Sequence, residues 1–88
     1  HSNLKISDSI WEEAQQKLNE RQYGSARALL KQLIEKGDSQ AMLMMGRLCF
    51  NGQGGLLNYD DGLEYYQQAA KLENLDAIHE LACLYRTG

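Results

Sequence analysis

Apolar residues return every three or four positions along most of this chain, and short polar or glycine-bearing stretches interrupt them at regular intervals. That period belongs to amphipathic helices rather than strands, and it predicts five of them. Ile10, Trp11, Ala14 and Leu18 share a narrow stripe behind Ser9 and Glu12, a capping-box pair, which gives a first helix from Ser9 to about Gln22. Ala26, Leu29, Leu30, Leu33 and Ile34 make a second, from Tyr23 or Gly24 to Lys36, ended by Gly37. Asp38 or Ser39 caps a third, running from about Ser39 to Asn51 with Ala41, Met42, Met45, Leu48 and Cys49 on one face. Gly46 stays small there, where a neighbouring helix should approach closely. After the loop Gly52-Gln53-Gly54-Gly55-Leu56-Leu57, Asn58 caps a fourth helix that carries Asp60 and Asp61 at its positive end and runs to about Leu72. It turns Gly62, Tyr66, Ala69 and Ala70 inward, with Tyr65 beside them. A fifth spans roughly Leu75 to Arg86, with Ala77, Ile78, Leu81, Ala82, Leu84 and Tyr85 as its apolar set.

The chain also matches itself at a shift of 36 positions. Tyr23 falls on Tyr59, Gln32 on Gln68, Ala41 on Ala77, Leu48 on Leu84 and Gly52 on Gly88, all identical, while Met45/Leu81 and Gly46/Ala82 keep their size class. A period of this length predicts an all-α fold, an α-solenoid of stacked antiparallel helical hairpins, because one hairpin cannot bury its apolar faces alone. The helix order is then A, B, A, B, A, about two and a half repeats. Residues 1–8 read as an N-terminal tail, 9–38 as one hairpin, 39–74 as a full repeat and 75–88 as the first helix of another. The start at His1-Ser2 and the stop at Gly88 suggest a piece of a longer parent, with a vector scar at its beginning.

Composition narrows the function more than the fold. The 24% charged and 43% hydrophobic content with no proline excludes disordered and collagen-like classes. With a net charge of −3 and the nine Lys and Arg scattered, nucleic acid is not the expected partner, since that affinity needs many phosphates neutralised at once. No apolar run approaches the roughly 20 residues of a membrane span, so no transmembrane segment is expected. The compartment stays undetermined by composition. Two cysteines, Cys49 and Cys83, are too few for a disulfide framework, and their separation falls two short of the repeat, which turns them to different faces of matching helices. Both are expected reduced.

The third and fourth helices resemble a known family, the Sel1-like repeats of the tetratricopeptide-repeat superfamily. The resemblance rests on Ala41, Met45-Gly46, Leu48, Asn51-Gly52-Gln53-Gly54, Asn58-Tyr59, Gly62, Tyr65-Tyr66, Ala69-Ala70 and the next Ala77. Departures are Cys49 for a tyrosine, Gly55 for a valine, Asn58 for an aspartate and Gly62 for an alanine. Gly62 should cost its helix on the order of 1 kcal/mol relative to Ala. Residues 9–36 look more like a plain tetratricopeptide unit, through Ala14, Leu18, Tyr23, Ala26, Leu30 and Leu33. The resemblance implies a right-handed superhelix acting as a protein–protein interaction scaffold, in bacterial envelope, secretion or signalling settings or in the endoplasmic reticulum.

Candidate chemistry is thin, so no enzyme activity, catalytic residue or cofactor is expected. Gly52-Gln53-Gly54-Gly55 follows a helix and has no Lys-Ser/Thr pair behind it, which makes it a turn and not a phosphate loop. His79 and Cys83 lie four apart on one face, but a structural zinc site takes four ligands and no second pair is in view, so no metal site is assigned.

A binding surface follows from the geometry of stacked hairpins, whose A helices line the concave side. That places Gln40, Leu43, Arg47 and Phe50 of the third helix in the groove, with Asp76, His79, Cys83 and Arg86 at the matching positions of the fifth and Asp8, Trp11, Gln15 and Leu18 on the first. The expected binding set is Trp11, Gln15, Gln40, Leu43, Arg47, Phe50, His79 and Arg86, taking a protein or peptide segment. The plainer reading of Trp11, Leu43 and Phe50 is padding of the interface between neighbouring A helices. Two further functions stand beside the first: a cell-envelope module binding peptidoglycan or a cell-wall enzyme, which only the family resemblance implies, and a structural spacer in a multidomain protein. Self-association through an uncovered fifth helix is a further expectation.

Overall fold

The computed structural model describes the backbone of residues 2–55 and 57–87 and the side chains of residues 9–55 and 57–86. The sequence places Leu56 in the glycine loop and Gly88 at the turn matching Gly52; both lie outside the described residues. Among the described residues there are five helices and no strand: α1 (Ser2–Asn19), α2 (Tyr23–Glu35), α3 (Ser39–Asn51), α4 (Tyr59–Lys71) and α5 (Leu75–Thr87). Consecutive helices pack on each other, and the molecule measures 41 × 26 × 18 Å. No described helix is long and apolar enough to cross a membrane.

Four of the five helices end in one way. At α1, Gln22 N–H donates to Lys17 O at 2.8 Å; at α2, Asp38 N–H to Leu33 O at 3.1 Å; at α3, Gln53 N–H to Leu48 O at 2.9 Å; at α4, Asn74 N–H to Ala69 O at 3.1 Å. Each bond spans five residues and closes over a left-handed residue: Arg21, Gly37, Gly52 or Glu73. Only two of these are glycine, so the closure outweighs the roughly 1–2 kcal/mol that a side chain costs in that conformation. Gly37 and Glu73 are 36 positions apart, and so are Asp38 and Asn74, which cap α3 and α5. Asp38 Oδ1 accepts from Gln40 N–H at 2.9 Å and Ala41 N–H at 3.2 Å, and Asn74 Oδ1 accepts from Ala77 N–H at 3.0 Å. The 36-residue register thus recurs in backbone conformation and capping.

The first helix departs from the sequence reading. It begins at Ser2, not Ser9, so the backbone of 2–8 is helical and Ser9 is an exposed position inside α1. A capping box is worth about 1 kcal/mol, whereas extending an existing helix adds one backbone bond per residue, and no glycine or proline intervenes.

The core forms two clusters that share α3. Ala14, Leu30, Leu33, Ala41, Met45, Leu48 and Cys49 join α1, α2 and α3; Met42, Leu43, Tyr66, Ala69 and Ala77 join α3, α4 and α5. Both glycines of the α3–α4 crossing lie tight against the opposite helix, Gly46 the more so. A Cβ on Gly46 would lie 2.6 Å from the Tyr66 ring and 3.0 Å from Gly62 O, and one on Gly62 would lie 3.0 Å from the Phe50 ring and 3.1 Å from Gly46 O. Propensity alone counts Gly62 as a loss; an alanine there would also need the Phe50 ring and the Gly46 carbonyl to give by a few tenths of an ångström.

Candidate functional site

The face shared by α1, α3 and α5 is tied together by side chains. Trp11 Nε1–H donates to Asp38 Oδ2 at 2.6 Å, so one carboxylate caps α3 with one oxygen and anchors α1 with the other. Asn74 Nδ2–H donates to Ser39 Oγ at 3.1 Å and to Gln40 Oε1 at 3.3 Å, which fixes the start of α5 to the start of α3. Farther along, Arg47 and Glu80 pair at 3.3 Å with 44% and 36% of their side chains exposed. A pair so wetted contributes at most about 1 kcal/mol and is readily exchanged for another partner.

Between α1 and α3 this face opens into a recess of about 330 Å³ lined by Trp11, Gln15, Gln40 and Met44. Three of the four are residues the sequence nominates. Met44 is the one it misses, and Leu43 is the one it places wrongly. Leu43 is 0% exposed, packed in the cluster with Tyr66, Ala69 and Ala77, so it belongs to the core and not to a groove. The outward stripe of α3 is Gln40, Met44 and Arg47, one step from the forecast Gln40, Leu43 and Arg47. One residue is a rotation of about 100°, enough to exchange inside for outside.

The remaining nominated residues do not join that recess. Phe50 is half-buried against α4, its ring centroid 5.0 Å from Tyr66 and 5.7 Å from Tyr59. It borders a second, apolar hollow of about 500 Å³ with Tyr59, Asp60, Leu63, Leu84 and Tyr85. Padding between A helices alone does not describe Leu43, which packs with residues of both α4 and α5, or Phe50, which packs on α4; the half-buried Trp11 does bridge α1 to the start of α3. His79 and Arg86 are exposed on α5, where His79 Nε2 stands 3.7 Å from Cys83 Sγ. Leu18 is half-buried on the first core cluster; the Asp8 side chain lies outside those described.

On the opposite side, a recess of about 410 Å³ is lined by Gly24, Arg27, Lys31, Cys49, Gly54, Asp61 and Tyr65, among others. Arg27 is a fastening: Nε–H donates to Gln53 O at 2.7 Å and Nη2–H to Leu48 O at 3.1 Å. The glycine run is a turn, as its sequence context requires. Gly54, at φ 79°, lies so close to the Tyr23–Gly24 backbone that any Cβ would sit 2.6 Å from Tyr23 C. Burial pushes the Cys49 thiol up, ahead of the opposing pull of Arg27, and burial likewise raises the Tyr65 phenol. Cys49 is therefore a protonated, weakly nucleophilic thiol at neutral pH. Cys49 is buried and Cys83 exposed, and they form no disulfide, as their register requires.

Among the described residues, no three His, Cys, Asp or Glu side chains come together to hold a metal ion. Compared with models of known protein families and with curated proteins, the chain matches none of them.

Proposed function

We propose that this chain is a non-enzymatic helical-repeat module, an α-solenoid of Sel1-like type, that takes a protein or peptide segment along the face formed by α1, α3 and α5. The observation that carries the reading is the recess of Trp11, Gln15, Gln40 and Met44, which offers an aromatic ring, a thioether and two amides to a segment crossing the two helices. The recurrence of caps and left-handed closures at 36 residues supports the repeat architecture behind it.

The chemistry suits an extended segment. Gln15 and Gln40 present amides that can both donate to and accept from a peptide backbone, and Met44 adapts its shape to an apolar side chain. Arg47, one turn beyond Met44, exchanges Glu80 for a carboxylate on the segment at small cost.

The chain has one tryptophan, and it lies in this recess, so its emission reports occupancy. Peptides selected from a random library against the chain should shift Trp11 fluorescence on binding. Met44→Arg should weaken them by roughly 30-fold, as loss of a central contact worth about 2 kcal/mol does, with the helical circular dichroism unchanged. Selected peptides that compete at Arg27, Lys31 and Glu64 instead, and bind Met44→Arg normally, would refute this assignment.

A further inference from the structure

We propose that His79 and Cys83 form half of a zinc-class metal site that a second copy of this chain completes. The two side chains stand one turn apart on α5, where Nε2 and Sγ share a hydrogen bond at 3.7 Å whose proton an ion would replace. A tetrahedral ion holding sulfur at about 2.3 Å and nitrogen at about 2.0 Å keeps those two atoms about 3.5 Å apart. The pair is already spaced as two corners of one coordination tetrahedron. Both side chains are exposed, so an ion reaches them from solvent. Two ligands hold zinc poorly and closed structural sites take four, a Cys₂His₂ set among them. The same pair on another copy supplies the other two.

The strip around the pair specifies how that copy lies. At about 100° per residue, Asp76, His79, Cys83 and Arg86 fall within one narrow band of α5, and all four are exposed. Their positions are symmetric about residue 81. Setting a second α5 antiparallel across that point brings His79 opposite the partner's Cys83 and Asp76 opposite the partner's Arg86. A parallel alignment would instead set Asp76 on the partner's Asp76 and Arg86 on the partner's Arg86. Opposite charges therefore favour the antiparallel, isologous pairing, in which each contact occurs twice. On binding, each thiol releases its proton to solvent, and the two thiolates balance the double charge of the ion. No residue of the Trp11 recess is on α5, so the metal pair and the recess use different residues of the α1–α3–α5 face.

The test is Zn²⁺ titrated into the reduced chain, with mass followed by light scattering on a sizing column. The metal-free chain should run at 10.0 kDa and double in mass on saturation at one zinc per two chains, with X-ray absorption showing two sulfur and two nitrogen ligands. His79→Gln and Cys83→Ser, both at exposed positions, should each abolish the doubling; Cys49→Ser should not. Asp76→Arg should weaken pairing about tenfold or more by facing two arginines, and adding Arg86→Asp should restore it. Zinc saturation at one ion per chain, an unchanged mass, or zinc-linked doubling that survives His79→Gln or Cys83→Ser would overturn the proposal.

Discussion

Helices α3 and α5 occupy the same phase of the 36-residue register and meet opposite environments. Ala41 and Ala77 are both fully buried, the point at which the two helices are equivalent. From there they diverge: Leu43 is buried and its match His79 exposed, Gly46 is buried and Ala82 exposed, and Cys49 is 4% exposed against 67% for Tyr85. The difference follows from neighbours. Helix α3 packs on both α2 and α4, whereas the described residues cover α5 on the α4 side and leave Leu75 78% exposed. Residue type follows the same gradient at two places, where Leu43 gives way to His79 and Phe50 to Arg86. A repeat therefore specifies which residues can be core, and the neighbouring helices decide which of them are.

The sharpest way to break this comparison is to enlarge matched small residues. Gly46→Leu places its Cβ inside contact with Tyr66 and should cost about 3 kcal/mol or more, while Ala82→Leu, at the matching exposed position, should stay within about 0.5 kcal/mol. Urea unfolding followed by circular dichroism measures both. Equal losses would mean that the neighbouring helices do not make the difference between the two positions.

The caps give a smaller contrast. Asp38→Ala removes the α3 cap and the Trp11 anchor, Asn74→Ala the α5 cap and the amide's bonds to Ser39 and Gln40; the charged acceptor should make the first cost about 2 kcal/mol against about 1 kcal/mol for the second. Asp38→Ala alone should also red-shift Trp11 emission. A red shift of the same size in Asn74→Ala would separate the fluorescence from the Trp11–Asp38 bond.

The smallest effect is a pH dependence at the buried α3–α4 crossing. Burial raises the Cys49 thiol above its ordinary 9.0 and the Tyr65 and Tyr66 phenols above their ordinary 10.0. A raised native pKa means that the folded state holds its proton more tightly. The contribution is then complete below the unfolded value and disappears as pH rises through the folded one. Stability should therefore hold through neutral pH and decline above about pH 9, and Tyr66→Phe should make that decline shallower. A urea midpoint that stays level to about pH 11 would contradict the assignment.

What the sequence determined by itself is local. The periodicity and capping residues delimit α2 to α5 to within a residue or so, because each boundary rests on bonds spanning at most five positions, such as Asp38 to Gln40 and Asn58 to Asp61. The all-helical fold, the smallness of Gly46 and three of the four recess residues were legible on the same basis. The sequence reading did not name the Asn74 cap, although its match to Asp38 at 36 positions carried the signal. Tertiary structure alone decided the rotation of α3 about its axis, which buries Leu43 and turns Met44 outward. That angle is set where Gly46 meets Gly62 across two helices, and no local spacing encodes it. The same holds for the Trp11–Asp38 anchor and the Arg27 fastening, whose partners lie 27, 26 and 21 residues apart. Those contacts exist only once the helices have packed, since the orientation of each depends on the shape of its neighbours.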